Sequence, residues 1–509
     1  MITRRMLLRG GMGAVGLVAA GSAPWYGSAA FAKTADTRWQ RLRRYLSGDV
    51  VLPGDPAYPE ALQLDSAAFD DVLPQAIAYC ENVQDVRTCL RFAHDHDIAV
   101  AVRSGGHSAA GYSTTTGLVL DVSRLNAIDV GSSTVELGPG AQGVDILATL
   151  SRRGLSVITG NCPTVCMGGY LQGGGVGPLS RKYGVASDRL LSAEVVLADG
   201  RVARCSPRRE PDLFWALRGG GGGNFGVVTR YEIAPVTTTR MVSFSLSWPW
   251  ARAAEVIAAY LAWLVSAPDD LTANLTVMNQ NAAPGTQPAL FVSGSWFGAP
   301  AGLNPHLDEL VSAVGSAPVS RLADDLSYVD AMMRMFGCGT QTVQQCHRVG
   351  YNPEATLPRQ SFVLARGRLL EQTMTAQAIG EALAAFEAMP AAGQFRVMSW
   401  GGLGGQINRT GPAETAYVHR TAQQYFTYTA GVRTQAPPAE VKASIEAWTG
   451  GGFAVARRYG NNEGQINFID GQLQDWRHAY YGDNYGRLVR TKRRYDPHGF
   501  FRFPQAIGQ

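Results

Sequence analysis

Residues 160–184 read GNCPTVCMGGYLQGGGVGPLSRKYG, a glycine-rich stretch that also carries two cysteines. Two further glycine clusters lie at 104–111 and 219–226, in a chain with 59 glycines among 509 residues. The clusters do not recur with a fixed period, so a repeat array is excluded. Because glycine has no side chain, its backbone can approach a ligand closely, and turn amides bind anionic groups. The three clusters therefore predict a site in which backbone lies against an anionic or planar ligand.

None of these clusters is a standard nucleotide signature. The first two lack the G-x-G-x-x-G spacing between strand and helix, and no Gly-Lys-Ser or Gly-Lys-Thr occurs. Two reactive side chains stand beside them, His107 in the first turn and Cys162 just before the second. Taken singly, a loop histidine is usually solvated and a lone cysteine is usually a small buried residue. Neither side chain alone predicts a site.

Composition and charge limit the class of protein. With 46% hydrophobic, 17% charged and 9% aromatic residues, the chain is globular rather than disordered, collagen-like or coiled-coil. Its length predicts two or three structural units. The net charge of +4 falls to about +1 without Arg4, Arg5 and Arg9, so a nucleic acid or an anionic membrane has no electrostatic support as a partner.

The amino end predicts an export signal over residues 1–32. A basic segment, TRRMLLR at 3–9, precedes a mild apolar stretch and the small-x-small site Ala30-Phe31-Ala32. The adjacent arginines are typical of twin-arginine export, a route used by proteins that fold around a cofactor. A membrane anchor is the alternative, but the apolar stretch is interrupted and shorter than the roughly 20 residues that span a bilayer. We therefore expect a secreted, extracytoplasmic protein.

The seven cysteines leave the disulfide pattern open. In an oxidising compartment Cys338 could pair with Cys346, and Cys80 with Cys89, but the sequence alone establishes neither pair. Zinc is disfavoured because Cys162 and Cys166 lack a second pair of ligands at the right spacing. We expect no metal.

The chain after the signal divides into three parts. Residues 33–235 hold the glycine clusters among strand–helix–strand patterns and predict an α+β unit. In residues 236–454 alternating apolar positions predict a sheet covered by helices. Residues 455–509 are aromatic and rich in Gly and Pro, which predicts that they dock on the first part.

Periodicity predicts the individual elements. In the first part it indicates a strand, a helix and a strand within 76–101, strands at 117–121, 134–138, 191–197 and 227–233, and a helix at 143–153. In the second it indicates strands at 241–248, 289–296, 361–365, 396–400 and 424–429, with helices at 252–266, 304–313 and 375–388. A last helix is predicted at 476–492.

Five ordered motifs together resemble the berberine bridge enzyme group, within the vanillyl-alcohol-oxidase type of FAD enzymes. They are RSGGHS at 103–108, GNCPTV at 160–165, GGGVGPLSRKYG at 173–184, GGGGNFG at 220–226 and YDPHGFF at 495–501. The resemblance implies an α+β fold in which 33–235 form a two-subdomain FAD-binding domain, completed by 455–509. Residues 236–454 would form an antiparallel-sheet substrate domain, covered by helices, over the flavin.

The resemblance also implies the cofactor site. In relatives the histidine of R-S-G-G-H bonds to the flavin 8α-methyl and the cysteine of C-P-T-V bonds to C6, so His107 and Cys162 predict a doubly tethered FAD. Imidazole and thiolate are nucleophiles suited to such bonds. Cys166 is interpreted as a packing residue, with the reverse assignment as the alternative. The further implied FAD contacts are Arg103, Ser104, Gly105, Gly106, Ser108, Gly168, Gly169, Gly173, Gly174, Gly177, Asn224, Phe225, Gly226, Val227, Asn467 and Tyr485.

The catalytic residues depart from the family pattern. Many relatives have Tyr-x-Asn in the tail, where this chain has Gln465-Ile466-Asn467, and a glutamine amide is no base at neutral pH. TAYVHR at 415–420 resembles the family's T-A-F-P-H-R, and counting onward places Tyr428 where relatives present Gln or Glu. Tyr428 is the predicted base, and a core aromatic on a sheet is the alternative.

Other candidates remain beside these. Tyr170 stands where relatives often have histidine after Gly-Gly, and it is the fallback base together with Glu463. Arg420 and His419 fit either a polarising role or a strand end at the surface.

The leading hypothesis is an FAD-dependent oxidase that acts on an alcohol, hemiacetal or sugar CH–OH group. The expected partners are a sugar, an oligosaccharide or a glycosylated natural product, and O2 as the acceptor. A flavin-dependent oxidative cyclase and a secreted binding protein that has lost catalysis are the alternatives.

Overall fold

The structure is a computed structural model that describes residues 28–434 and 436–509. The arginine pair and apolar stretch of the predicted signal lie outside the described residues, and residues 28–32 begin the first helix. Within the described part of the chain, none of the helices has the length and apolar character needed to cross a bilayer.

The first subdomain contains a four-stranded sheet in the order β1-β2-β4-β3, in which β2, β4 and β3 are parallel and β1 is antiparallel. Its helix α3 begins where the Asn82 side chain accepts a hydrogen bond from the Asp85 N–H at 2.9 Å. The elements in chain order are α1 (Ser28–Tyr45), β1 (Val50–Val51), α2 (Tyr58–Ala61), β2 (Ala76–Tyr79), α3 (Val83–Asp95), β3 (Val100–Arg103) and β4 (Leu118–Asp121).

The second subdomain is built on a five-stranded antiparallel sheet in the order β5-β6-β10-β8-β9. A short ribbon of β7 and β11 leads into the next part. The elements are β5 (Ile128–Val130), β6 (Val135–Leu137), α4 (Gly143–Leu150), β7 (Leu155–Ser156), α5 (Met167–Gln172), α6 (Ser180–Tyr183), β8 (Leu190–Val196), β9 (Val202–Cys205), α7 (Pro211–Ala216), β10 (Val227–Ile233) and β11 (Val236–Thr237).

The third part is a seven-stranded antiparallel sheet in the order β15-β12-β14-β13-β17-β18-β16. Helices cover one face. The elements are β12 (Arg240–Trp248), α8 (Ala253–Ser266), β13 (Leu271–Asn279), β14 (Ala289–Trp296), α9 (Leu303–Val314), β15 (Ser320–Ser327), α10 (Tyr328–Met335), β16 (Phe362–Leu370), α11 (Ala376–Glu387), β17 (Phe395–Gly402), β18 (Gln424–Val432) and α12 (Ala439–Tyr459).

The two faces of this sheet differ in polarity because side chains alternate along each strand. Along β12, apolar residues such as Phe244 and Leu246 are buried in the core beneath the helices, and Ser243, Ser245 and Ser247 point the other way and are half-buried. The predicted antiparallel sheet under helices is confirmed.

The structure differs from the sequence prediction in three respects. Helix α12 runs to Tyr459 and so crosses the expected boundary at 454. The single helix expected at 476–492 is two helices, α13 (Trp476–Tyr481) and α14 (Tyr485–Tyr495), because Gly482 breaks it at a φ of 46°. Strands β13 and β15 were not predicted.

Helix α10 and the segment between it and β16 leave the third part and pack on the first two. Tyr328, Met332 and Phe336 are buried in the same core as α4 and α5. Cys338 and Cys346 form a disulfide within this segment, which settles one of the two pairs left open by the sequence. Cys80 and Cys89 are both buried and free, with their sulfurs 3.9 Å apart.

Candidate active site

The three glycine clusters meet at one place in the fold. The first follows β3, and a Cβ on Gly105 would lie 3.0 Å from the Cys166 nitrogen. A Cβ on Gly168 would lie 2.7 Å from the Ser104 hydroxyl, and one on Gly222 would lie 3.4 Å from the Gly169 Cα. Larger residues would separate these loops, so the glycines are needed to bring the clusters together.

His107 lies at the edge of this meeting point. Its Nε2 is 2.9 Å from the Thr164 hydroxyl, and its Nδ1 is 3.5 Å from Oδ2 of Asp65. Burial lowers the pKa of His107, and the negative charge of Asp65 only partly offsets that effect. The imidazole is therefore neutral at pH 7, which is the nucleophilic form.

Cys162 and Cys166 occupy different environments. Cys162 is exposed and free, two residues from Thr164. Cys166 is 3% exposed, and its thiol donates a hydrogen bond to the Gly140 carbonyl at 3.2 Å. Desolvation near the thiol and the charge of Asp65 raise the pKa of Cys162, and deeper burial raises that of Cys166 far more. The geometry supports Cys162 as the reactive cysteine and Cys166 as a packing residue.

These residues fit an FAD molecule. Gly169 is exposed among buried neighbours, and a Cβ placed on it meets no atom within 4 Å, so open space adjoins the backbone there. Arg103 pairs with Asp121, but its Nη1 is buried with no hydrogen-bond partner in the described structure. A buried, unsatisfied guanidinium donor beside a glycine turn suits an anionic group such as a pyrophosphate.

Several predicted FAD contacts instead have structural roles. A Cβ on Gly173 would contact the Asn467 amide, one on Gly174 the Tyr417 ring and one on Gly177 the Thr159 carbonyl. These three glycines thus allow the second cluster to pack against other segments of the chain. Gly106, with a φ of 69°, is needed for the turn itself. The Ser108 hydroxyl accepts a hydrogen bond from the Tyr112 N–H at 3.1 Å and stabilises the same loop.

The third cluster is held by the C-terminal tail. The Asn224 amide donates to the Gly220 carbonyl at 3.1 Å and accepts from the Ile507 N–H at 2.9 Å, so this side chain docks the tail. Phe225 and Val227 are fully buried in the core. A Cβ on Gly226 would collide with Val195. The structure therefore does not support the predicted side-chain contacts with the cofactor. These side chains dock the tail or fill the core: Asn224, Phe225 and Val227.

Asn467 forms hydrogen bonds with the second glycine cluster, whereas Tyr485 forms them with other residues of the tail. Asn467 accepts from the Gly175 N–H and donates to the Tyr170 carbonyl, both at 3.0 Å, so it fastens the tail to the second glycine cluster. The Tyr485 hydroxyl instead accepts from Arg477 and from the Gly508 N–H, inside the tail. The prediction that Tyr485 contacts the cofactor is not supported.

The prediction that Tyr428 is the catalytic base is wrong. Tyr428 is fully buried, and its hydroxyl donates to the Ala382 carbonyl of α11 at 3.0 Å. Its ring packs on Trp448 and Gly452 of α12, on the helix-covered face of the sheet. Desolvation also raises the pKa of Tyr428, so its phenol stays protonated at neutral pH and cannot accept a proton from a substrate. The alternative interpretation, a core aromatic, is the correct one.

Tyr170 and Gln465 are also unsuited to proton transfer. Burial raises the pKa of Tyr170 well above its usual value, and its ring packs against Gly160 and Gly175. Its hydroxyl and Nε2 of Gln465 are buried without hydrogen-bond partners in the described structure. Both residues therefore present unused polar groups next to the second cluster, which suits a bound ligand, but neither is a base.

The other face of the seven-stranded sheet looks toward this site. On that face Tyr425 of β18 stacks on Phe468, one residue beyond Asn467, with ring centroids 5.2 Å apart. The Thr272 hydroxyl of β13 donates to the Pro178 carbonyl at 2.9 Å, next to the second cluster. Register places small polar side chains side by side across this face: Ser245, Asn274, Thr276, Ser293, Ser399, Thr427 and Thr429.

The two residues that contact His107 were not singled out from the sequence. Asp65 and Thr164 both contact His107; Thr164 stands in the quoted C-P-T-V motif, but Asp65 lies in a loop without any motif. His419 is buried, and its Nδ1 lies 2.7 Å from the carboxylate of Glu463, which is half-buried. His419 is thus not at a surface strand end. In the described part of the chain no cluster of three metal ligands occurs.

Comparisons with known proteins identify the chain as similar to FAD-linked oxidoreductases. The FAD binding domain family matches residues 74–206, and the berberine and berberine-like family matches residues 466–508. YgaK, an uncharacterised FAD-linked oxidoreductase of Bacillus subtilis (strain 168), is 28% identical over 472 residues, which cover 91% of this chain and 97% of YgaK. Chitooligosaccharide oxidase of Gibberella zeae is 26% identical over 492 residues, 90% of this chain and 92% of that enzyme.

The solved structures show the same fold. BBE-like 1 of Physcomitrella patens matches with a TM-score of 0.81 at 21% identity, covering 92% of this chain and 98% of that one. The resemblance inferred from five sequence motifs is confirmed by the family matches at both ends of the chain. The chain therefore carries an FAD binding domain and a berberine-like domain, is similar in sequence to FAD-linked oxidoreductases, and has the fold of the berberine bridge enzyme-like proteins.

Proposed function

We propose that this protein is an exported oxidase whose FAD is bonded to both His107 and Cys162. It oxidises a CH–OH group of a sugar, an oligosaccharide or a glycosylated compound and passes the electrons to O2. The observation that carries the substrate class is the polar sheet face that looks toward the glycine clusters.

That face suits a ligand with many hydroxyl groups. Ser399 and Thr427 lie side by side on neighbouring strands with their hydroxyl oxygens 2.9 Å apart, and Asn274 lies nearby on β13. Hydroxyl and amide groups both donate and accept, so they match the hydroxyls of a sugar. The name of the relative chitooligosaccharide oxidase points to the same class of substrate.

The tether proposal is supported by two nucleophiles of different loops that share one environment. His107 lies within the first cluster and Cys162 just before the second, and the charge of Asp65 acts on both. Bound FAD supplies the two-electron chemistry. The chain's own residues hold the cofactor, orient the substrate against it and shield both from bulk water.

Export is supported by the sequence alone. Arg4 and Arg5 precede the apolar stretch, and the small-x-small site is at Ala30–Ala32. Amino-terminal sequencing of protein recovered from outside the cytoplasm should begin near Lys33. Export should stop when both arginines are replaced by lysine. Recovery of the unprocessed chain from the cytoplasm alone would refute this part.

The reaction is tested by anaerobic mixing. We expect oligosaccharides of N-acetylglucosamine, glucose or other sugars to bleach the flavin absorbance, and admission of air to restore it with one peroxide per flavin. Simple alcohols of the same concentration are the control and should bleach it far more slowly. A yellow protein that binds sugars but is bleached by none of them would contradict the proposal and favour the binding-protein alternative.

A further inference from the structure

Asp65 lies beside His107 and belongs to neither of the loops that carry the two proposed tethering residues. Its carboxylate is 13% exposed, and Oδ2 is 3.5 Å from Nδ1 of His107. Its charge also acts on the thiol of Cys162. Within residues 28–434 and 436–509, His107 is the one side chain within ion-pair distance of this carboxylate.

The backbone fixes Asp65 in this place. Its N–H donates to the carbonyl of Gly106, one residue before His107, at 3.1 Å. Its own carbonyl accepts from the Gln360 N–H at 3.0 Å, on the chain that leads into β16. Arg359 donates to the Leu64 carbonyl at 2.9 Å. Asp65 is therefore held against the His107 turn from two sides, and its position does not depend on a flexible loop.

The other side of the imidazole is also fixed. Thr164 lies 2.9 Å from Nε2, so the ring is clamped between a hydroxyl and a carboxylate. The Thr164 hydroxyl can donate a hydrogen bond to Nε2 only when Nε2 carries no proton. In the neutral ring the proton is then on Nδ1, which faces Asp65. Such a clamp selects both the orientation and the protonation state of the ring.

We propose that Asp65 is the positioning residue that directs covalent attachment of the flavin to His107, and that it does not assist attachment to Cys162. This inference rests on the proposed double tether. A carboxylate beside the imidazole stabilises the positive charge that the ring gains as a nitrogen forms a new bond. The same negative charge opposes formation of the Cys162 thiolate, which is the nucleophilic form of a cysteine.

The attachment step is balanced with O2 as the oxidant. One N–H bond of His107 and one C–H bond of the flavin methyl group break, and one C–N bond forms. The two electrons and two protons that are released reduce O2 to hydrogen peroxide. Asp65 holds the imidazole proton on its way out of the site, and it is unchanged at the end.

The test measures attachment separately at each tether. Cys162→Ala leaves only the His107 bond, and His107→Ala leaves only the Cys162 bond. Asp65→Asn is introduced into both backgrounds, each protein is incubated aerobically with FAD, and the flavin that stays with acid-precipitated protein is followed over time. Peptide mass spectrometry assigns the bonded residue. Asp71→Asn is the matched control, because this carboxylate of the same segment is exposed and is not within ion-pair distance of His107.

We expect Asp65→Asn to slow attachment at least tenfold in the Cys162→Ala background, and Asp65→Glu to restore part of the rate. In the His107→Ala background the rate should be unchanged or higher. Equal slowing in both backgrounds would reveal a general structural role and overturn the inference, as would an unchanged rate at His107. If the unmodified protein itself releases all its flavin into the acid supernatant, the double tether is refuted and the inference falls with it.

Discussion

The Cys166 thiol donates a hydrogen bond to the Gly140 carbonyl at 3.2 Å, and Cys162, four residues earlier, is exposed and free. Two cysteines of one short loop thus occupy separate environments. The sequence favoured Cys162 as the tether and left Cys166 as the alternative, because both stand in the same glycine-rich loop.

The number of free thiols tests this assignment. Five of the seven cysteines are outside the disulfide, so denatured, unreduced protein should show four reactive thiols when the flavin occupies Cys162 and five when it does not. Cys162→Ala should leave the count at four and abolish the bond to flavin. Cys166→Ala should lower the count by one, retain the bond and destabilise the fold by about 1 kcal/mol, through a lost buried contact. Flavin bonded to the peptide of Cys166 would contradict the assignment.

Neighbouring residues on β18 give a second test, since they point to opposite faces of the sheet. Tyr428→Phe removes the hydrogen bond to Ala382 and should cost about 1 kcal/mol of stability without changing kcat or KM. Thr427→Val removes a hydroxyl from the polar face at nearly constant volume. It should raise KM for a sugar about fivefold, the equivalent of one hydrogen bond. Thermal unfolding and steady-state kinetics separate the two effects, and a large loss of kcat in Tyr428→Phe would restore the tyrosine as a candidate base.

Local periodicity in the sequence was sufficient to predict the strands and the helix that form the core of the first subdomain. The strand, helix and strand expected within 76–101 are β2, α3 and β3, because apolar spacing there coincides with real burial of Val86, Cys89, Leu90 and Ala93. Strand β13 was missed although it alternates, and β15 was missed because an exposed edge strand with three charged residues has no apolar face. A strand without a buried apolar face, such as β15, gives no periodic signal in the sequence.

The candidate site was only partly predictable. His107 and Cys162 stand in motifs, and the fold brings their loops together. Counting along the chain found the correct strand for Tyr428, but in a strand a shift of one residue reverses the face. Asp65 reaches His107 through a backbone contact with Gly106, 41 residues away along the chain. No local pattern encodes such a contact.

Gly169 offers a test of where the cofactor lies. It is helical, exposed and adjoins open space, so Gly169→Leu should leave the fold intact and fill that space. We expect the ratio of flavin to protein, read from absorbance, to fall at least fivefold. Gly451→Leu is the matched control, since Gly451 is also helical and exposed with no atom near its Cβ position. Equal flavin content in the two variants would show that the cofactor does not pass Gly169.

The last prediction concerns pH and the contact between the substrate domain and the FAD-binding domain. His347 is fully buried beside the disulfide, and its Nε2 lies 3.1 Å from the Asp145 carboxylate of α4. Burial lowers the pKa of His347, but the hydrogen bond and charge of Asp145 outweigh that effect, and the net shift is upward. A histidine whose pKa is raised by folding stabilises the native state below its unfolded pKa of about 6.5. That contribution is lost as the pH rises through the higher folded value.

Asp145→Asn should therefore destabilise the protein more at pH 6 than at pH 9. At pH 6 we expect a loss of about 1–2 kcal/mol, typical of a hydrogen bond to a charged group, and at pH 9 a smaller loss. His94→Gln is the control, because His94 is exposed and lies 3.8 Å from Asp95, so its replacement should change little at either pH. Thermal unfolding across this range measures the difference. An Asp145→Asn effect that grows with rising pH would mean that His347 is neutral in the native state, contrary to the geometry of the pair.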